Sequence, residues 1–364
     1  MAHPSILAEA VPLFPKVGGR NAPARRRAGG RAGGRAGEAP TDKAPHRALE
    51  GLTTDTSECA EGFARERGEP CASACVLAAV ASFAAAVATP AVEPSPRERP
   101  ADPDALPTAR SGPAKAVRAA AAALGCSSES CVIAHPSIRQ FVVERGLVPP
   151  RALDLELETR FKAPGPRAGK ALLSNYNLDE TLRRWARVFP GFYPCPFAMM
   201  DFDSNGDAFG RLDLLAILEG RVHAELGPGV GRVRRPTTCF GCVVNTDTSR
   251  GPGRHWVAVF VDCRPESKPW TVEYFDSVGH PPPRPMTSWM ERTRARLADH
   301  RTAPAVETVP VTDIDHQESR TECGLYALFY IRRRLEGAPL QAFARQRIPD
   351  AAMTAFRRHV FRAA

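Results

Sequence analysis

Two runs rich in β-branched and aromatic residues, HWVAVFVDC at 255–263 and WTVEYFDS at 270–277, constrain the fold of this chain more than any other feature. Each has the length and composition of a strand, and the turn-like RPESKP between them makes them sequential neighbours in a sheet. AVETVPV at 305–311 predicts a further strand, and SWMERTRARLADH at 288–300 a helix. CGLYALFYIRRRLEG at 323–337 predicts another helix, with Leu325, Leu328, Phe329 and Leu335 on one face and Gly337 closing it. DAAMTAFRRHVFR reads as a last helix. Strands and helices segregated in this way imply an α+β domain: a central, mainly antiparallel or mixed sheet flanked by helices.

Upstream, the Ala-rich stretch from Lys115 predicts a helix capped by Gly125. Residues 177–188 predict a second, with Asn177 or Asp179 as cap and Leu178, Leu182 and Trp185 at helical spacing. A further amphipathic segment is expected over 208–226. The first third differs: RNAPARRRAGGRAGGRAGE at 20–38 is low-complexity and buries no core, and EPSPRERPADPDALPTARSGPA at 93–114 reads as a Pro-rich linker. PCASACVLAAVASFAAAVATPAV at 70–92 is uncharged and long enough to span a bilayer. Alanine supplies most of it, so a loosely packed or buried helix is expected rather than a stable membrane span. These readings divide the chain into an extension and linker at 1–114, a helical part at 115–230 and a core at 231–364, with order starting near Lys115.

The net charge of +9 favours acidic partners, nucleic acid among them, and sequence-independent DNA association through Arg25, Arg26 and Arg27 is one reading of it. The plainer reading is a biased tail, with Arg332, Arg333 and Arg334 as the solvated last turn of a helix, where cations suit the dipole. Ten irregularly spaced cysteines do not form a disulfide framework, and MAHPSILAEAVPLFPKVGG lacks the pattern of a secretory signal. Mostly reduced thiols are therefore expected.

Reduced thiols suit thiol chemistry. A peptide bond cut by a thiolate needs a nucleophile, a base, a group that orients the base, and donors for the oxyanion. The chain offers these in the order His255, Asp276, Gln317, Cys323. His255 opens one strand and Asp276 ends the next, so one sheet edge can hold both and the carboxylate can fix the imidazole tautomer. Cys323 falls at a helix start, where the dipole and free N–H groups favour a thiolate. Gly324 allows close backbone approach, and Gln317 supplies an amide N–H.

This pattern, H-W, then F-D-S, then Q-x5-C-G, resembles the clan of SUMO-specific proteases and the adenovirus protease. With LDETLRRW, FYPCPFAMMDF and FGCVVNTDTSRGPGRHWVAVFVD, it is most similar to the core-protein proteases of nucleocytoplasmic large DNA viruses such as African swine fever virus. The resemblance implies an endopeptidase cutting after Gly-Gly or Ala-Gly in structural polyproteins, or in ubiquitin-like precursors. It implies action in the cytoplasmic virus factory and in the virion. A narrow tunnel roofed by aromatics would enforce the small residues, with Trp256 and Trp185 as candidates. Some viral relatives carry Asn where this chain has Asp276.

Other classes compete with this reading. An isopeptidase acting on SUMO or ubiquitin, an acyltransferase on the same triad, and an inactive binding module all share the fold. Metal and cofactor motifs are weak. Cys126 and Cys131, with Cys239 and Cys242, make an incomplete zinc pattern. DFDSNGDAFGRLD at 201–213 has Leu212 where a calcium loop has Glu. No phosphate-binding or dinucleotide fingerprint is present, so neither metal nor cofactor is expected.

Overall fold

The computed structural model describes residues 46–50, 57–61, 63, 69–88, 112–166, 171–221 and 236–362. Five helices come first: α1 (Ala74–Ala88), α2 (Pro113–Leu124), α3 (Glu129–Ala134), α4 (Pro136–Glu144) and α5 (Pro150–Thr159). They bury a core of their own that includes Val76, Val80, Phe83, Val132, Ile138, Val142 and Leu153. Carboxylates from the later helices satisfy the free N–H groups ahead of α1. Glu129 accepts from Cys71 and Ala72, at 2.8 and 2.9 Å, and Glu156 accepts from the Ser73 amide at 2.9 Å.

The boundary expected near Lys115 is thereby corrected. The Ala-rich segment is helical, and its Val76, Val80 and Phe83 face lies within one core with α2 to α5, so the helical unit reaches back to about residue 57. Most of the ten cysteines are free thiols, as expected, but two disulfides lie within the helical unit. Cys59 bonds Cys71 and Cys126 bonds Cys131, while Cys75, Cys195, Cys239, Cys242, Cys263 and Cys323 are free thiols. Arg25, Arg26 and Arg27 and most of the 93–114 linker lie outside the described residues. Among those that are described, no helix is long and apolar enough to cross a membrane.

The catalytic half follows, with β1 (Ala163–Pro164), α6 (Asn175–Val188), β2 (Phe192–Pro194) and β3 (Ala198–Met199). Ser174 rather than Asn177 or Asp179 caps α6, and Asn177 supplies the reciprocal side-chain bond of a capping box. Short helices α7 (Phe202–Asn205) and α8 (Leu214–Leu218) replace the longer amphipathic segment expected at 208–226. Then come β4 (Cys239–Asn245), β5 (Trp256–Asp262), β6 (Trp270–Phe275), α9 (Arg284–Ala298), β7 (Val306–Val311) and α10 (Cys323–Leu335). Helices α11 (Gln341–Ala344) and α12 (Asp350–Val360) and a short β8 (Phe361–Arg362), parallel to β1, complete the fold.

The main sheet runs β2-β4-β5-β6-β7, with β3 also beside β4. Its centre, β4-β5-β6, is antiparallel and its flanks are parallel, so the sheet is mixed. Alternation along β5 builds two cores: Ala258 and Phe260 face α6, α10 and α12, whereas Val257, Val259 and Val261 face α7, α8 and α9. Helix α10 is buried nearly all round, as a central core helix must be.

The Arg332–Arg334 run is accordingly no solvated helix end. Arg332 is buried against Glu61 (2.7 Å) and Glu336 (2.5 Å). Arg334 donates to both oxygens of the fully buried Glu273, at 2.9 and 2.7 Å, and to Asp262 at 3.2 Å; Tyr330 Oη donates to Glu273 at 2.7 Å. Removing one partner of such a pair strands the other charge. Arg334→Leu should therefore lower stability in urea unfolding by about 3–5 kcal/mol, and adding Glu273→Gln should restore most of it. A single variant within about 1 kcal/mol of the parent would show that the pair anchors nothing.

Candidate active site

Antiparallel pairing places Ala258 opposite Phe275, so the residue before β5 and the residue after β6 meet at one sheet edge. Those residues are His255 and Asp276. Imidazole Nε2 lies 2.7 Å from Asp276 Oδ1, and the carboxylate is almost fully buried. The Val278 amide donates to the same oxygen at 2.9 Å, and Tyr274 Oη approaches the other at 3.5 Å. With Nε2 engaged, Nδ1 is the nitrogen left for the Cys323 thiol, which is near enough to act on the charge of the ring.

The turn before His255 is held by two side chains that the sequence did not single out. Asn245 Oδ1 accepts from the amides of Asp247 and Arg254, at 3.0 and 2.9 Å. Asp247 accepts from the Thr248 and Gly253 amides, and Gly253 sits at φ +91°, a backbone region that favours glycine. The Thr246 amide then bonds the His255 carbonyl at 2.8 Å. This clip fixes the direction from which the imidazole enters.

Cys323 is the first residue of α10, so its thiol sits among the free N–H groups of a 13-residue helix. A Cβ on Gly324 would come within 3.3 Å of Leu173 and 3.4 Å of Trp256, tighter than side chains normally pack. Glycine here lets the Trp256 indole close over the first turn of α10. Trp256 Nε1 donates to the Leu173 carbonyl at 3.2 Å, and Phe197 meets its ring edge-on at 6.5 Å between centroids. Trp185 is elsewhere: it packs on Phe356 beneath the Arg332 guanidinium, toward the far end of α10. The aromatic beside Trp256 is thus Phe197, and the tunnel-roof expectation for Trp185 is corrected. No periodic signal marked Phe197, which lies in the irregular stretch between β2 and β3.

Gln317 joins the site through Ser277, the serine of F-D-S. The Ser277 carbonyl accepts from the His316 and Gln317 amides, at 2.7 and 3.0 Å. Its hydroxyl donates to Gln317 Oε1 at 2.8 Å. Since the hydroxyl claims the amide oxygen, Nε2 must be the donor end; one of its hydrogens goes to the Ser319 carbonyl at 2.7 Å and the other remains. Asp350 holds the same loop through the amides of Glu318 and Ser319, at 3.3 and 2.7 Å. His316 accepts from Ile348 and donates to the Phe343 carbonyl, and burial lowers its pKa to about 4, which keeps it neutral. Glu322, just ahead of the thiol, is paired with Arg357 at 2.9 Å.

Electrostatics at His255 are opposed. Burial disfavours the imidazolium, but the hydrogen bond to Asp276, the charge of that carboxylate and the neighbouring Cys323 outweigh it and hold the pKa at about 10. The charged ring is therefore the resting form at neutral pH, the state that accompanies a thiolate partner.

The weaker metal readings give way to other bonding. Cys126 and Cys131 are bonded to each other, and Cys239 and Cys242 point into opposite cores of the sheet. In the acidic loop, Asp201 accepts from Ser249 N and Oγ, while Asp203 pairs with Arg292. Among the described residues no cluster of three or more His, Cys, Asp or Glu side chains is placed to hold a metal.

A mixed sheet whose edge carries a carboxylate-bound imidazole, facing a cysteine at the start of a buried helix, defines a thiol protease. Comparison with known proteins agrees. Residues 243–363 match the model of the Ulp1 protease family, C-terminal catalytic domain. A cysteine protease of African swine fever virus, from a Tick/Malawi isolate, is 50% identical over 243 residues, 66% of this chain and 85% of that protein. The SUMO-1 cysteine protease of the Pig/Kenya isolate of the same virus is 49% identical over the same length and coverage. The crystal structure of the African swine fever virus protease superposes with a TM-score of 0.67 at 40% identity, covering 87% of this chain and 99% of that one. This chain belongs to the Ulp1-type cysteine protease family, alongside the African swine fever virus enzymes.

The free hydrogen of Gln317 Nε2 makes the residue a candidate oxyanion donor. Replacing such a donor usually costs about 10²–10³-fold in turnover, so Gln317→Ala tests the assignment: kcat should fall by that factor with KM little changed. Ser277→Ala frees the amide to rotate and should lower kcat roughly 10-fold, about one neutral hydrogen bond, without moving the pH profile. A Ser277→Ala enzyme with parental kcat would show that the hydroxyl does not hold the amide.

Proposed function

We propose that Cys323 is the nucleophile of this cysteine protease, His255 its proton carrier, Asp276 the group that orients and charges the imidazole, and Gln317 an oxyanion donor. The carrying observation is the His255 ring bonded to the buried Asp276 carboxylate, with Cys323 beside it at the start of α10. The thiolate attacks the scissile carbonyl, and the oxyanion takes N–H donors from Gln317 and the backbone at the start of α10. The imidazolium then gives its proton to the leaving amine, and an acyl-enzyme remains. His255, now neutral, removes a proton from water, which attacks the thioester and regenerates the thiolate.

The substrate is a protein chain. Trp256, bonded to the Leu173 carbonyl and set against Gly324, would roof a narrow approach to the thiol suited to residues with little or no side chain. That supports cleavage after Gly-Gly or Ala-Gly, and the kinship with the African swine fever virus protease supports structural polyproteins as substrates, with action at assembly sites and in the virion. An isopeptidase acting on a SUMO-like tail is the second reading, favoured by the same slot and by the SUMO-1 protease name of one relative. DNA association has lost the Arg332–Arg334 part of its basis, since Arg332 and Arg334 are buried in ion pairs, and rests on Arg25–Arg35 alone.

Cys323→Ala should abolish cleavage of a Gly-Gly peptide while circular dichroism and the unfolding midpoint stay parental. Residual cutting by that variant would move the nucleophile elsewhere. Asp276→Asn keeps a hydrogen-bonding group but removes the charge that raises the His255 pKa. In the parent, activity should fall as pH rises through about 10, where the imidazolium loses its proton. In Asp276→Asn this alkaline limb should move to lower pH, because less negative charge favours the neutral ring. An unmoved limb in a pH–kcat/KM profile would assign it to another group.

A further inference from the structure

Where the helical unit meets the catalytic core, away from the thiol, lies a cavity of about 650 Å³, within the size range of small-molecule sites. Among the described residues its charged lining is Lys162, Arg184, Arg187, Arg332 and His359, with the carboxylate of Glu61. Three of these cations have partners: Arg332 in Glu61 and Glu336, Arg184 in Glu180, and Lys162, which donates to the Arg358 carbonyl at 3.2 Å. Arg187 is only partly answered. Its guanidinium donates to the Glu158 carbonyl at 2.7 Å, and its Nε is buried with no hydrogen-bond partner among the described residues. His359 Nδ1 is buried in the same condition.

Buried polar nitrogens without partners are rare in native proteins, because each forfeits its water without replacement. Two of them on the wall of one roomy, cation-rich cavity point to a missing acceptor. We propose that this cavity binds a small phosphate monoester. Its phosphate would be held by Arg187 and His359 with Lys162 adding positive charge, and its carbon skeleton would lie on Val188 and Val360. A guanidinium offers planar paired donors that match phosphate oxygens, and a dianion answers the excess of positive charge better than a neutral ligand would. Glu61 sits on the Arg332 side, so the anion's place is the opposite wall. The site is separate from the thiol: the two lie toward opposite ends of α10, which begins at Cys323 and carries Arg332 in its last turn.

Calorimetric titration of the full chain with butyl phosphate, and with inorganic phosphate, tests this without using catalysis. Butyl phosphate should bind saturably with a dissociation constant below about 1 mM, and more tightly than inorganic phosphate. Arg187→Gln should weaken it by roughly 10-fold, the worth of a charge-assisted hydrogen bond, and His359→Gln should act in the same direction. Both variants should keep the parental unfolding midpoint and parental peptide cleavage without ligand. Should Arg187→Gln fold poorly, His359→Gln decides alone. No saturable heat at about 10 mM, or parental affinity in a folded variant, overturns the proposal. Binding of butyl phosphate no tighter than inorganic phosphate overturns the role of the apolar wall.

Discussion

The burial of α10 is the constraint on which the rest of the structure depends. A helix closed on nearly every side has no freedom to slide, provided that its polar groups are answered. Arg334 is, by Glu273 on β6 and Asp262 on β5, and Tyr330 adds its hydroxyl to the same carboxylate. Those bonds tie one end of α10 to the two strands whose other ends carry His255 and Asp276. Phe275 stacks on Tyr330 at 4.5 Å between centroids, which continues the same contact toward the site. The thiol and the imidazole are thus placed by one rigid assembly rather than by a flexible loop.

Within that assembly the polar site is held by a second set of bonds. Asp276 holds the His255 imidazole, and its neighbour Ser277 holds the Gln317 amide, so one short segment after β6 fixes both of the side chains proposed for proton transfer and oxyanion binding. The loop carrying Gln317 is fastened in turn by Asp350, which also accepts from Tyr326 Oη on α10 at 2.8 Å. A change at any of these positions would be felt in kcat before it was felt in binding, because the donors matter most when charge develops.

Much of this was legible in the chain. β5, β6 and β7 announced themselves by β-branched and aromatic runs, and α10 by an apolar stretch with a basic end. The order His, Asp, Gln, Cys is local to those elements, so the expected edge geometry followed. What escaped was non-local. The Ala-rich α1 has no charge pattern to mark a face, and its partners Glu129 and Glu156 are 57 and 83 residues away from the amides they accept from. Arg332 and Arg334 looked solvated because nothing in their own helix reveals Glu61 or Glu273. Phe197 rather than Trp185 lies beside Trp256, because spacing on α6 says nothing about where an irregular stretch brings an aromatic. Ser277 stood within the F-D-S motif, and only the hydroxyl's direction gave it a task.

The same physics explains why one thiol among several should react. Burial pushes the thiols of Cys195, Cys239, Cys242 and Cys263 up, since a thiolate there has lost its water, and even at Cys239, where Arg264 and Arg334 act the other way, burial prevails. Cys75 is exposed, with the Ser73 hydroxyl 3.0 Å away and no imidazole bonded to it. Cys323 is as buried as the others, yet it begins a helix and lies beside a histidine that Asp276 keeps charged. Burial alone would silence it. The helix N-terminus and the imidazolium turn that burial to advantage, because a charge pair is stronger where water is scarce.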